Sequence, residues 1–393
     1  MKYRAEIDGL RALAVLPVMF FHAGFELFVG GFVGVDVFFV VSGYLITTII
    51  IEDIENKTFS FLNFYERRIR RILPALFFVI LVCIPFAWIW MLPGQMKDFS
   101  QSLVAVSLFA SNFLFWKESG YFDAAAEEKP LLHTWSLAVE EQYYVIFPIF
   151  LFFAWRFGKN KVFWITVLIA GISLMLSEWG WRNKNSANFF LAPTRVWEIL
   201  AGSIVAFIVL KRGVQKNNFL SFLGLILIFF SIFSYDETTP FPSIYTLVPV
   251  VGVALLILYA DKKTLASKIL SMKLFVSLGL ISYSAYLWHQ PLFAFARIRM
   301  LNEPSHLFMM LLVVCSLILA FFSWRFIEKP FRDKKKYSNK KIFLLPIIPI
   351  MLFIIFGVIG HLNYGYEKRY PQDLVQALKK SNDRDQTSLK CFL

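Results

Sequence analysis

Apolar stretches long enough to cross a bilayer recur along almost the whole chain, and no other feature limits the fold so tightly. They fall near residues 10–28, 34–51, 73–92, 99–116, 137–155, 162–177, 195–210, 219–235, 244–260, 274–296, 306–326 and 342–361. A membrane-crossing helix needs about 20 predominantly apolar residues, and runs of roughly this length point to one. Hydrophobic residues make up 58% of the 393, and only 17% are charged, against about 25% in a soluble domain. The 45 Phe and 11 Trp exceed what one soluble core can bury. The sequence therefore predicts an all-α integral membrane protein and excludes soluble and fibrous folds.

Charge decides how many runs cross. Short loops rich in Lys and Arg stay on the cytoplasmic side. If all twelve runs crossed, the basic loops would change sides partway along the chain. The run at 99–116 is the one to remove: it is rich in Ser and Asn, and the acidic residues Glu118, Asp123, Glu127 and Glu128 follow it. It is expected to be a re-entrant or interfacial outer helix. Of the 40 Lys and Arg, 24 then lie in the inner segments 1–9, 52–72, 156–161, 211–218, 261–273 and 327–341, and only 7 in outer loops up to residue 305. The expected topology is about 11 transmembrane helices, with a cytoplasmic amino terminus and an extracytoplasmic, polar, poorly ordered tail. No internal repeat is evident.

The net charge of +13 is accounted for by this topology. No basic face on a soluble module exists for nucleic acid to bind. Cys83, Cys315 and Cys391 are too few and too scattered for a disulfide framework or a multi-cysteine metal site. No metal ligand set is expected. The first run contains Arg11, His22 and Glu26 and is followed by no small-residue cleavage site, so it is expected to remain as the first span.

Ionisable groups inside spans cost roughly 2.5–3.5 kcal/mol each and need a partner, a watery cavity or a chemical task. Arg11 and His22 lie eleven residues apart, so one helix face carries both, about 16 Å apart along the axis. A snorkelling Arg and a packing His would explain the pair equally well. Imidazole is also the side chain best suited to take a hydroxyl proton near neutral pH. In Gly30-Gly31-Phe32-Val33-Gly34-Val35-Asp36, the aspartate lies near the level of His22. It could orient the imidazole, pair with an arginine, or cap the span.

The loop Tyr65-Glu66-Arg67-Arg68-Ile69-Arg70-Arg71 holds four arginines in five positions. They can anchor to anionic headgroups, or their guanidinium forks can bind the phosphates of a nucleotide-type donor. In His133-Thr134-Trp135-Ser136-Leu137-Ala138-Val139-Glu140-Glu141-Gln142-Tyr143-Tyr144, His133, Glu140 and Tyr144 share a helix face. An interfacial aromatic belt explains the rings but not adjacent Glu140 and Glu141. Ser282, Tyr286 and His289 share another face and read as a packing cluster when taken alone. Arg195 and Glu198 are spaced to pair. Arg325 and Glu328 repeat that spacing, and either they pair or Arg325 faces a donor.

Five ordered motifs now stand together. They are R-x10-H at Arg11 and His22, GGxxGVDVFFxxSGYLIT from Gly30 to Thr47, FYxRRxxRILPAL from Phe64 to Leu76, HTWSLAxEEQYY from His133 to Tyr144, and WRxIEKP from Trp324 to Pro330. In these the chain resembles the acyltransferase-3 family of membrane O-acyltransferases, and most of all its bacterial branch that acetylates surface polysaccharide, including lipopolysaccharide O-antigen. The resemblance implies a ten-helix acyltransferase core at 1–330, a basic cytoplasmic loop at 331–341, one extra span at 342–361 and an extracytoplasmic tail at 362–393. It further implies residence in the bacterial inner membrane and no bound cofactor. A cytoplasmic acyl-CoA, usually acetyl-CoA, would be the donor, and an extracytoplasmic glycan the acceptor.

By the same resemblance, His22 is the first-choice catalytic residue, with Asp36, His133 and Glu140 as further candidates. Arg11, Arg68, Arg71 and Arg325 form the donor side, and Glu141, Arg195, Glu198, Tyr286 and His289 are acceptor-side or structural. The branch commonly carries an SGNH-type domain after the extra span, whereas this sequence shows no GDS motif there. The expectation is that a separate SGNH-type protein completes transfer or that the chain is a shortened form. The competing class is a transporter or flippase of a lipid-linked glycan, which would also need many spans and buried charges but usually shows repeat symmetry.

Overall fold

The computed structural model describes residues 3–119, 126–300, 302–378 and 380. Asp123, Cys391 and the tail beyond residue 380 lie outside them. The helices are α1 Ala5–His22, α2 Gly34–Glu55, α3 Phe61–Trp90, α4 Pro93–Ser107, α5 Ser111–Glu118, α6 Thr134–Ala154, α7 Lys159–Asn183, α8 Asn185–Phe190, α9 Ala192–Arg212, α10 Asn218–Ser234, α11 Leu247–Tyr259, α12 Leu265–Leu270, α13 Lys273–Arg299, α14 His306–Ser323, α15 Lys329–Arg332, α16 Asn339–Leu344 and α17 Ile347–Leu362. Among the described residues there is no β-strand.

Seven helical stretches are long and apolar enough to cross a membrane: Gly31–Glu55, Phe61–Trp90, Thr134–Phe157, Lys159–Asn183, Asn185–Arg212, His306–Arg332 and Asn339–Leu362. Asn218–Ser234 and Ile244–Tyr259 are apolar but shorter. α1 and α13 fall outside this set because polar residues dilute them, Glu6, Asp8 and Arg11 in α1 and His289 and Gln290 among others in α13. Each of the eleven runs expected to cross carries a helix. The bundle exterior is apolar, with Trp164, Met175, Leu307 and Leu352 all exposed, as a lipid-facing surface requires and a water-facing one does not.

Two helix pairs pack most closely. α1 packs along α13 and α2 along α9, and small residues set their separation. A Cβ on Gly43 would lie 1.8 Å from the Ile199 carbonyl oxygen, and one on Gly279 would lie 1.8 Å from that of Asp8. Backbones this close exclude lipid from the middle of the bundle.

The 99–116 stretch is not one helix. α4 and α5 divide it at Phe109, whose φ of 52° lies in the left-handed region where a helix cannot continue. α4 packs on α17, and α5 on α6 and α8. α1 also ends earlier than the apolar run does, at His22, with Gly24 at φ 79° turning the chain. The described start of the tail folds back: Tyr366 Oη donates to the Phe356 carbonyl at 2.7 Å, and Arg369 donates to the Met91 carbonyl at 3.2 Å.

Candidate active site

α1 runs through the middle of the site, with Arg11 toward one end and His22 as its last residue. At the arginine end, α3 contributes Arg68 and Arg71, one turn apart on the same face. A chamber of ≈ 90 Å³ opens between α1, α2, α3, α6 and α13, and Arg11, Arg68, Arg71, Ser42, Glu140, Tyr144, Ser136, Tyr283 and Tyr286 supply its polar lining.

The arginine cluster divides in two. Arg67 pairs with Asp53 at 2.7 Å. Arg70 pairs with Glu66 at 2.8 Å and donates to the Phe331 and Tyr337 carbonyls, tying α3 to the segment after α14. These two are structural. Arg68 and Arg71 have no carboxylate within ion-pair distance among the described residues, although Arg68 lies over the Phe64 and Tyr144 rings at 5.9 and 6.0 Å. Two unpaired guanidinium groups facing one chamber are positioned for an anionic ligand. Arg11 is held by Asp8 at 3.3 Å.

Arg325 is not among them. The turn Trp324–Glu328 is π-helical, which shifts the registry that ordinary helical spacing assumes. Arg325 is exposed on the outside of the bundle, while Glu328 is buried and takes Ser284 Oγ and Arg332, each at 2.5 Å. Of the two roles open to Arg325, pairing with Glu328 is taken over by Arg332, and Arg325, expected on the donor side, does not line the chamber.

On the chamber wall, the Glu140 carboxylate accepts from Ser42 Oγ at 2.9 Å and from Tyr144 Oη at 3.0 Å. Glu141 is also largely enclosed, and its Oε1 has no hydrogen-bond partner among the described residues. At the far end, Tyr286 Oη meets Ser136 Oγ at 2.7 Å and the His133 carbonyl at 3.0 Å. Behind this pair lie three histidines. His22 Nδ1 is 2.9 Å from His289 Nε2, and His289 Nδ1 is 2.6 Å from the Tyr286 carbonyl. The His133 ring stands edge-on to His289 with centroids 5.5 Å apart, and neither of its nitrogens has a hydrogen-bond partner among the described residues. Arg297 Nη2 donates to the His22 carbonyl at 2.8 Å while its Nε pairs with Glu127 at 2.9 Å.

Asp36 belongs to a different cluster. Its Oδ1 accepts from Arg195 Nη2 at 2.8 Å, and Arg195 Nε is 3.2 Å from Glu198 Oε1. The guanidinium lies 5.4–5.6 Å from the rings of Phe39, Trp135, Phe189 and Phe241. Of the three roles open to Asp36, the structure selects pairing with an arginine and not orientation of His22. The group ties α2 to α9, and no solvent reaches it.

The structure thus brings together Arg11, Arg68, Arg71, Glu140, Glu141, Tyr286, His22, His133 and His289, and separates from them Asp36, Arg195, Glu198 and Arg325. Sequence reasoning missed Ser42, Ser136, Tyr283, Arg297 and Arg332 as site residues. Ser42 and Ser136 lay inside quoted motifs, whereas nothing near Arg297 in the sequence marks it.

Residues 4–325 match the sequence model of a family described as an acyltransferase domain. An O-acetyltransferase OatA of Staphylococcus aureus (strain MRSA252) is 31% identical over 377 residues, covering 90% of this chain and 62% of its own. A peptidoglycan O-acetyltransferase OatA of Listeria monocytogenes is 32% identical over 387 residues, covering 91% and 62%. A putative O-acetyltransferase of Staphylococcus aureus is 29% identical over 416 residues, covering 98% and 67%. The chain spans about three fifths of the length of the first two relatives. No solved structure matches it. The chain belongs to this acyltransferase family.

Proposed function

We propose that this member of the acyltransferase family is a multi-pass membrane O-acyltransferase. It takes an acyl group, acetyl first among candidates, from an acyl-CoA thioester at the arginine end and transfers it to a hydroxyl of an extracytoplasmic glycan at the histidine end. The observation that carries the reading is the chamber itself: two unpaired arginines and Arg11 at one end, and at the other a tyrosine–serine pair backed by histidines. With the amino terminus cytoplasmic, as the basic loops imply, the arginine end faces the side where acyl-CoA is made, in accord with the inner-membrane location that the family resemblance implies.

Arg68, Arg71 and Arg11 bind donor phosphates. His22 removes the proton from the acceptor hydroxyl as its oxygen attacks the thioester carbonyl. The new C–O bond forms, the C–S bond breaks, and the thiolate leaves as free thiol with a proton. The likeness to the peptidoglycan O-acetyltransferase of Listeria favours peptidoglycan as acceptor, while the resemblance to the surface-polysaccharide branch favours a lipopolysaccharide O-antigen.

Purified protein in liposomes, given radiolabelled acetyl-CoA and soluble glycan fragments of each kind, tests the reading. Thioester cleavage coupled to labelling of one glycan is expected, and His22→Gln should lower it by about 10²- to 10⁴-fold, the usual contribution of a general base. Glycan movement without thioester cleavage would instead establish a transporter.

A further inference from the structure

The inference rests on His22 being the base and concerns what makes it one. We propose that His289 is a positioning residue that holds His22 in the tautomer whose Nε2 carries the free lone pair.

A carbonyl oxygen can only accept, so the 2.6 Å contact between His289 Nδ1 and the Tyr286 carbonyl fixes the proton of His289 on Nδ1. A neutral imidazole has one N–H, so His289 Nε2 is a bare acceptor. His22 Nδ1, 2.9 Å away, must donate to it, and the lone pair of His22 is left on Nε2. The ring planes differ by only 12° with centroids 5.1 Å apart. Face-to-face rings with nitrogens that close would have closer centroids, so the two meet edge to edge in nearly a common plane, the geometry a strong N–H···N bond requires. Arg297 fixes the other end of the residue through the His22 carbonyl.

The orienting partner is neutral, where many histidine bases lean on a carboxylate. When His22 Nε2 takes the acceptor proton, the resulting imidazolium keeps its Nδ1–H on the His289 lone pair, and Nε2 gives its proton to the departing thiolate. Both histidines then return to their starting tautomers. His289 is fully buried, so water does not compete for its Nε2.

The test uses the whole protein in lipid bilayers. Solid-state ¹⁵N spectra of histidine-labelled protein, with the His22 signals identified by subtraction of His22→Gln, should show Nδ1 protonated and Nε2 bare. His289→Phe, which keeps a ring and removes the acceptor, should lower kcat by about 10²-fold or more, since a base in the wrong tautomer cannot act, with the donor KM unchanged. His289→Gln, whose carbonyl can accept from His22 Nδ1, should recover part of the loss. A His22 signal with Nε2 protonated, or a His289→Phe protein of normal kcat, would overturn the proposal. If His289→Phe does not fold, the spectrum of the unsubstituted protein decides alone. Inactive His22→Gln beside fully active His289→Phe would remove only the positioning role, whereas active His22→Gln would remove the base assignment as well.

Discussion

Arg68 and Arg71 present two cations to a chamber whose wall carries Glu140 but where neither forms a direct ion pair among the described residues, an arrangement that costs free energy unless a ligand or water supplies further counter-charge. Reversing both to Glu is expected to raise the KM for acyl-CoA at least tenfold while insertion and abundance stay near normal, because Arg67 and Arg70 make the contacts that hold α3. Donor binding by isothermal titration in detergent measures this, and unchanged affinity would leave the pair only an anchoring role. Asp36 calls for the opposite experiment. Asp36→Asn removes one partner of a fully enclosed charge pair, a loss typically worth about 3–5 kcal/mol. A large drop in thermal stability is expected, with activity per folded molecule retained. At this scale the sequence was half legible: the spacing of Arg11 and His22 implied a single helix carrying both, and both lie on α1. The partnership of Asp36 with Arg195 spans 159 positions, and no local pattern encodes it.

Among the elements, α4 and α5 carry the sharpest topological consequence. Their break at Phe109 and the packing of α4 along α17 fit a stretch that enters and leaves on one side. Single cysteines at Ser119 and Asn218 should therefore be labelled from opposite faces of sealed vesicles, the first from outside. Labelling of both from one side would discard the eleven-span topology. The close α2–α9 crossing gives a second test. Gly43→Val must push α9 away from a carbonyl oxygen, and overpacking of this kind costs about 1–3 kcal/mol or more, read as early melting and loss of the ion pair beneath it. Charge counting exposed the odd run because positive-inside bias is a property of whole loops. The π-helical turn at Trp324–Glu328 was invisible because helical-wheel reasoning presumes 100° per residue; Arg325 is exposed, and Glu328 takes Arg332 at the ordinary i,i+4 spacing.

Across the whole molecule, the helices that carry the buried ionisable groups of the chamber and the histidine cluster, α1, α3, α6 and α13, are surrounded by helices whose outer faces are apolar. Chemistry that needs charge can thus sit at membrane depth without exposing charge to lipid. Family motifs made that division readable from sequence, since four of the five fall on chamber or histidine positions, while the fifth, at Trp324–Pro330, supplies Glu328 and not its arginine. The chamber also has a size, and the hydrogen-bonded Tyr286 and Ser136 stop it at one end. A space of ≈ 90 Å³ with a fixed floor acts as a ruler on whatever enters from the arginine end. Each added methylene must find room or displace that floor, at about 1–3 kcal/mol apiece. Along a series of acetyl, propionyl and butyryl thioesters, kcat/KM should therefore fall by roughly 10-fold or more per carbon, and Tyr286→Phe, which unlatches the floor from Ser136, should flatten that slope while it slows the shortest member.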